Sequence, residues 1–254
     1  MGPTASLLPD GKRLHLQHGP IDLVIGADGQ RETAFDAARA RFETILQDLV
    51  EELPELKAPL SPISRRPGGR VAQRMHDAAI QFSKAGYVTR MAAVAGSVAD
   101  DVLEAMTQAA DLRRAYVNNG GDIALHLEGD ETFTTAMIDH TGRPLGQILL
   151  RAKDGVGGIA TSGRHGRSFS LGIADSVTVL ARSAASADVA ATLIANAVDL
   201  PGHPAVSRSP ASELNEDSDL GGLPVVTGCG PLSKAECDDA LCSGLDRAGS
   251  FVYQ

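Results

Sequence analysis

Residues 157–198, GGIATSGRHGRSFSLGIADSVTVLARSAASADVAATLIANAV, constrain this chain more than any other stretch. A glycine-rich loop, a short strand and a helix follow one another without a spacer. From Ser176 to Ala181 the residues alternate, with Val177, Val179 and Ala181 on one face and Ser176, Thr178 and Leu180 on the other, which is the period of a half-buried strand. Ser186 is placed to cap the next helix, and Asp188 falls in its first turn, where the macrodipole favours an anion. Val189, Leu193 and Ala197, with Ile194 and Val198, form the apolar face of that helix.

Asp188 and Thr192 are therefore expected one turn apart. A carboxylate and a hydroxyl at that spacing can both turn toward one hard cation, and Mg2+ takes oxygen ligands that it shares with a substrate's phosphates. The Thr161-Ser162-Gly163 turn offers backbone donors or carbonyls from the other side. The spacing alone also fits an ordinary structural role, in which the acid answers the helix dipole and the threonine bonds back to a carbonyl one turn earlier.

Four motifs stand in order: Asn119-Gly120-Gly121-Asp122-Ile123, then Ala160-Thr161-Ser162-Gly163, then the SVTV strand at Ser176 to Val179, then Ala187-Asp188-Val189-Ala190-Ala191-Thr192. This order resembles the signature of the ApbE-like superfamily over roughly residues 92–198, about two-fifths of the chain. The best-understood members are Mg2+-dependent flavin transferases that cleave FAD and attach FMN to a threonine of a target protein. The resemblance implies Mg2+ held by Asp188, Thr192 and the carbonyl of Ala160. It implies FAD, as substrate or ligand, against Asn119, Gly120, Gly121, Asp122, Thr161, Ser162, Gly163 and Arg164, with an acceptor protein as partner. The fold implied is α+β: mostly antiparallel sheets packed with helices, one domain of two tandem strand–helix halves, about 1–91 and 92–254, related to the T-fold.

The chain also departs from that pattern. In the transferases a long segment with a histidine and a D-P-x-T-G-like turn separates the T-S-G motif from the S-V-T-V strand, whereas here only a dozen residues lie between Gly163 and Ser176. A similar-looking Asp139-His140-Thr141-Gly142-Arg143-Pro144 precedes the T-S-G motif, out of order, and the N-terminal Met-Gly-Thr motif is missing. The chain thus looks like a divergent, compact branch. His165 and Asp175 are its nearest candidates for a general base, and Arg164, His165 and Arg167 suit a pyrophosphate or carboxylate as well as they suit solvent. Two functions follow: a Mg2+-dependent transferase or hydrolase of a flavin nucleotide, or a non-transferase member that binds a pterin-like or other heteroaromatic molecule or serves in cofactor biosynthesis. A structural oligomer without a small ligand is a third.

Composition narrows the class. A hydrophobic fraction of 43% supplies a core, and 4% aromatics with no Trp make that core one of Ala, Val, Leu and Ile. A net charge of −9 disfavours nucleic acid and anionic membranes as partners. No run is long enough to span a membrane and no secretory signal pattern opens the chain, so a cytoplasmic location is expected. Cys229, Cys237 and Cys242 match no common zinc spacing, and their odd number reads as reduced thiols.

Along the chain, residues 13–25 read as two strands turning at Gly19-Pro20, with His15 and His18 on the ribbon's exposed face. Residues 33–53 read as an amphipathic helix, and proline-rich 54–69 as a connector whose Arg65, Arg66 and Arg70 are solvated or meet a phosphate. Helices are expected at 71–84, carrying His76, and at 92–110, whose first turns are small enough to approach a sheet or a flat ligand. Strands are expected at 114–117, 123–127, 132–139 and 145–151, the last two in an antiparallel meander. Residues 207–222 read as a mobile acidic loop, 223–227 as a strand, and 233–253 as a helix with a Ser233/Glu236 capping box. Exposed sheet edges permit a homodimer.

Overall fold

The alternation in residues 13–29 becomes a pair of strands in the computed structural model of the chain, which describes residues 2–251. A short exposed strand, β1 (Thr4–Leu7), precedes β2 (Arg13–His18) and β3 (Ile21–Gly29). Leu14, Leu16, Leu23, Ile25 and Ala27 share one face and are buried. β1 carries no buried side chain and so has no apolar alternation to announce it; its backbone pairs with β2 from Thr4↔Gln17 to Leu7↔Leu14.

Helix α1 (Arg31–Glu51) lays Phe35, Ala38, Phe42, Ile45 and Leu49 into the core at helical spacing. The expected connector begins instead with one more helical turn, α2 (Leu53–Lys57), because Pro54 sits in its first turn, where no N–H is needed. Buried Arg90 donates to the carbonyls of Glu55 at 2.7 Å and Arg65 at 2.6 Å, which pins the proline-rich segment at both ends. Helix α3 (Arg70–Ala79) is shorter than the sequence suggests, giving way to a 3-10 turn at Ile80–Phe82. A second 3-10 turn, Arg90–Ala93, leads into α4 (Val94–Ala109).

Strands β4 (Leu112–Asn119) and β5 (Asp122–Leu127) form a hairpin in register Asn119↔Asp122. Gly120 and Gly121 are its two turn residues, both with positive φ, +66° and +116°, so the paired glycines make a tight turn. Then follow β6 (Thr132–Ile138), β7 (Pro144–Arg151), β8 (Gly158–Ser162), β9 (Val177–Ala181) and α5 (Ala184–Ala197). Strand β10 (Val206–Pro210), α6 (Ala211–Leu214), β11 (Pro224–Cys229) and α7 (Lys234–Phe251) complete the described chain. The segment expected to be a mobile acidic loop therefore carries most of β10 and all of α6: β10 pairs antiparallel with β11, and Arg208 reaches the Leu171 carbonyl at 2.6 Å. The capping box forms as expected, Ser233 N–H donating to Glu236 Oε2 at 2.6 Å and Glu236 N–H to Ser233 Oγ at 3.3 Å. Tyr253, in the helix range read from the sequence, lies outside the described residues.

The architecture is α+β. Seven strands form one sheet in the order β1-β2-β3-β4-β5-β8-β9, antiparallel from β1 to β8. Among the described residues β6 and β7 pair only with each other, because β8 occupies the edge of β5 through Ile123↔Ile159 and Ala124↔Gly158. Two compact units divide the chain. The first holds residues up to Ala136, Gln147–Ala160 and Leu180–Val189, and in it α1 and α4 pack on each other, with α4 also lying against β4 and β5. The second holds Met137–Gly146, Thr161–Val179 and the chain from Ala190, around Ile173, Ala174, Ala195, Val198 and Ala240. Among the described residues no helix is long and apolar enough to cross a membrane.

Candidate functional site

The first N–H groups of a helix have no partner within it. At the head of α4 that need is met by Asp188 of α5, whose Oδ2 accepts from Gly96 N–H at 3.0 Å and whose carboxylate also accepts from Ala95 N–H. At the head of α5 it is met by Asp100 of α4, whose two oxygens accept from Ala184 N–H at 3.0 Å and Ala185 N–H at 2.9 Å. Asp188 is thus in the second turn of its own helix and serves another helix's dipole, in place of the first-turn role read from the sequence. The local cap is also one turn earlier than expected: Ser183, not Ser186, closes the start of α5, its hydroxyl oxygen accepting from Ser186 N–H at 3.2 Å.

This crossing depends on small residues. A Cβ on Gly96 would lie 2.3 Å from the Ala184 carbonyl oxygen, and one on Gly158 would lie 2.2 Å from Ala184 N. The run of Ala, Gly and Ser at the start of α4 admits the start of α5. Asn119 joins the same place, its Nδ2 donating to the Ala95 carbonyl at 3.1 Å.

Electrostatically the site is acidic. Burial lifts the Asp188 carboxyl well above the usual carboxylate range, the Asp122 charge lifts it further, and the N–H groups of Gly96 and Ala95 pull it back. Burial also raises Asp100, opposed by its two N–H donors. The first unit therefore brings together Asp188, Asp122 and Asn119 of the expected site residues. Gly120 and Gly121 form the hairpin tip, where Gly121 N–H donates to Asn118 Oδ1 at 2.8 Å. Ala160 is fully buried in β8.

The second unit holds the others. Thr161 and Ser162 end β8 as strand residues, not a turn, and the Thr161 and Thr178 hydroxyls are 2.9 Å apart. Gly163 lies so close to the Asp175 carbonyl that a Cβ would be 2.4 Å from it. Asp175 Oδ1 accepts from Arg164 Nε at 3.0 Å and stands 3.1 Å from His165 Nε2. The His140 ring stacks on His165 with centroids 4.0 Å apart. The turn that looked out of order in the sequence thus delivers a second imidazole to His165. Asp139 shapes it by accepting from Thr141 and Arg143, contacts that hold its carboxyl at about 2. The ligating atoms of His140, His165 and Asp175 lie within 4.8 Å of one another on the surface, a set that suits a borderline metal such as zinc. Thr192 follows Asp188 by one turn on α5 and is partly buried.

Sequence reasoning missed two groups. Asp100 was one. The other is Asp101, fully buried, whose carboxylate meets Arg41 Nε at 2.5 Å, Arg70 Nε at 2.8 Å and Arg74 Nε at 3.6 Å. Arg70 and Arg74 also reach Glu104, and Arg66 pairs with Asp77 at 2.5 Å, so Arg66 and Arg70, expected in solvent or on a phosphate, are in ion pairs. Two adjacent acids inside the apolar pattern of residues 94–106 were the available signal.

Fold and site define an α+β protein with an acidic helix–helix junction beside a Gly-Gly hairpin. The chain belongs to the family described as AbpE bacteria, whose model matches residues 5–254, and with the UPF0280 proteins of archaea. A UPF0280 protein of Methanopyrus kandleri is 33% identical over 179 residues, covering 69% of this chain and 69% of that protein. One from Methanothermobacter thermautotrophicus is 34% identical over 159 residues, 61% of this chain and 59% of the relative. One from Methanococcus maripaludis strain C6 is 39% identical over 123 residues, 45% of this chain, and there the match spans about half of the relative's length, 49%.

Proposed function

We propose that this chain is a Mg2+-dependent enzyme that acts on a flavin nucleotide, FAD, as a transferase or hydrolase. The observation that carries this reading is the buried Asp188 carboxyl at the head of α4, whose proton affinity is raised by its desolvation and by the charge of Asp122. Such a group is relieved by a divalent cation. The oxygens of the first unit that would hold it are the carboxylates of Asp188 and Asp122 and the Ala160 carbonyl. That set suits a hard ion, and two N–H bonds to the Asp188 carboxylate leave lone pairs to coordinate it.

When bound, Mg2+ supplies charge neutralisation for a pyrophosphate. The chain's own residues do the rest. Gly96 and Ala95 N–H groups orient the Asp188 carboxylate, and Asn119 ties the hairpin to α4, so that Asp122 and the tip beside it hold a fixed position. Two residues without side chains at Gly120 and Gly121 let a flat ring approach backbone. Within the second unit, taken by itself, Asp175 orients His165, a group of the type that serves as a general base.

A second reading is a protein that binds a pterin-like or other heteroaromatic molecule without transfer, or serves in cofactor biosynthesis. It is favoured by the dozen residues between Gly163 and Ser176, where the resemblance would place a long histidine-bearing segment.

The test is incubation with FAD in Mg2+ or in chelator, following release of AMP and FMN together with flavin binding. Release that disappears in chelator and in Asp188→Asn supports the enzyme. Binding without release favours the second reading, and neither binding nor release overturns both.

A further inference from the structure

The sheet face opposite the buried Leu23, Ile25, Ala115 and Val117 carries Arg13, Gly26, Asp28, Arg114, Tyr116 and Asn118 at alternate positions. Cross-strand register makes neighbours of Arg13 and Gly26, of Gly26 and Tyr116, and of Asp28 and Arg114. A cavity of about 530 Å³ lies over this patch, walled on one side by Thr132–Thr135. Gly26 shapes it: a Cβ there would lie 2.4 Å from the Tyr116 ring, so only glycine lets that ring lie across the strand. Phe133, its centroid 5.5 Å from that of Tyr116, completes an aromatic corner.

The charge of the cavity is opposite to that of the chain. Lys12, Arg13, Arg31 and Arg114 line it, and Asp28 is its one lining carboxylate, in a protein of net charge −9. Asp28 serves both Arg114, at 2.6 Å, and Arg31, at 3.3 Å. Asp10 pairs with Arg13 at 2.5 Å, and among the described residues the Lys12 ammonium has no partner. Cations therefore remain in excess after every pair is made. A concave wall focuses their field and raises the local concentration of anions. The volume is that of a small-molecule site.

We infer that this cavity binds a small aromatic anion, phosphorylated or carboxylated, with its acid group on Lys12 and Arg13 and its ring against Tyr116. The inference does not rest on the reading of Asp188, which is no part of the cavity wall.

Calorimetric titration at low salt, without divalent metal, tests it with three probes that share one ring: 1-naphthyl phosphate, 1-naphthoate and neutral 1-naphthol. Saturable binding of at least one anion and much weaker binding of 1-naphthol is expected, and the better anion tells phosphate from carboxylate. Lys12 is exposed and unpaired, so its variants fold. Lys12→Ser should weaken the anion about tenfold, the loss of one charged hydrogen bond, and Lys12→Glu more. Lys84→Glu, an equal charge change at an exposed residue that does not line the cavity, and Asp188→Asn should leave it unchanged. Failure of both anions to bind, equal binding of 1-naphthol, or indifference to both Lys12 variants would overturn the proposal. A loss of FAD cleavage in Asp188→Asn with naphthyl binding intact keeps the two readings separate.

Discussion

Asp188 and Asp100 cap each other's helices: the acid of α5 receives the first N–H groups of α4, and the acid of α4 receives those of α5. Each carboxylate lies where another helix's positive end relieves its desolvation. The exchange locks the crossing of two helices through contacts 84 residues apart at Asp100–Ala184 and 92 at Gly96–Asp188.

Removing one half of the exchange should be measurable. Asp100→Ala leaves two N–H groups at the head of α5 without acceptors and is expected to lower stability by about 1–2 kcal/mol in urea unfolding.

Asp188→Asn should behave differently, because it keeps an acceptor oxygen and deletes a desolvated charge. The native carboxyl is raised above its unfolded value, so its stabilising contribution is full below the unfolded carboxylate range and is lost as pH rises through the raised native value. Above that range the variant should gain on the parent chain, and the gain should disappear in acid. Mg2+ should raise the melting temperature of the parent and leave that of the variant where it is.

Gly96→Ala should destabilise although alanine is the better helix former. Its Cβ would meet the Ala184 carbonyl at 2.3 Å, a backbone clash expected to cost about 3 kcal/mol. Gly249→Ala in α7 is the control: nothing lies within 4 Å, and a gain of about 0.5–1 kcal/mol is expected from helix propensity. Equal effects at the two sites in thermal unfolding would refute the close approach.

Asp101→Ala strands Arg41, Arg70 and Arg74 around an empty place. Loss of one partner from a buried ionic cluster is expected to cost about 3 kcal/mol or more, read as a shifted urea midpoint with an unchanged slope.

His76 gives the chain a mild acid sensitivity. Burial and the neighbouring Arg90 charge hold its imidazole below the ordinary value, and Arg90 Nε donates to its Nδ1 at 3.2 Å, which requires a neutral ring. The unfolded chain therefore takes up the proton first, and stability should fall as pH drops below the unfolded value of about 6.5. His76→Gln should flatten that part of the curve in pH-dependent unfolding.

Most of the fold was legible because it is written in short-range periods. Alternation from Arg13 to Ala27, the helical stripe from Ala34 to Leu49 and the Ser233/Glu236 box depend on residues a few positions apart, and they formed as read. Strand β1 and the β10–α6 segment were not legible, since an exposed edge strand and a polar ribbon are held by backbone pairing that leaves no apolar pattern. Within the candidate site, residue types were evident and partnerships were not. Nothing local distinguishes an Asp188 that serves its own helix from one that serves α4, or shows that Asp100 answers it.

By itself, then, the sequence determined the α+β class, the positions of the main helices and central strands, and the acids and glycines available for a site. Tertiary structure alone decided that α4 and α5 meet head to head at Gly96, that Asp122 stands against Asp188, and that cations gather over Tyr116 in an acidic chain. The reason is physical: periodicity reports which face of an element is buried, whereas capping, charge pairing and close approach depend on which distant element arrives there.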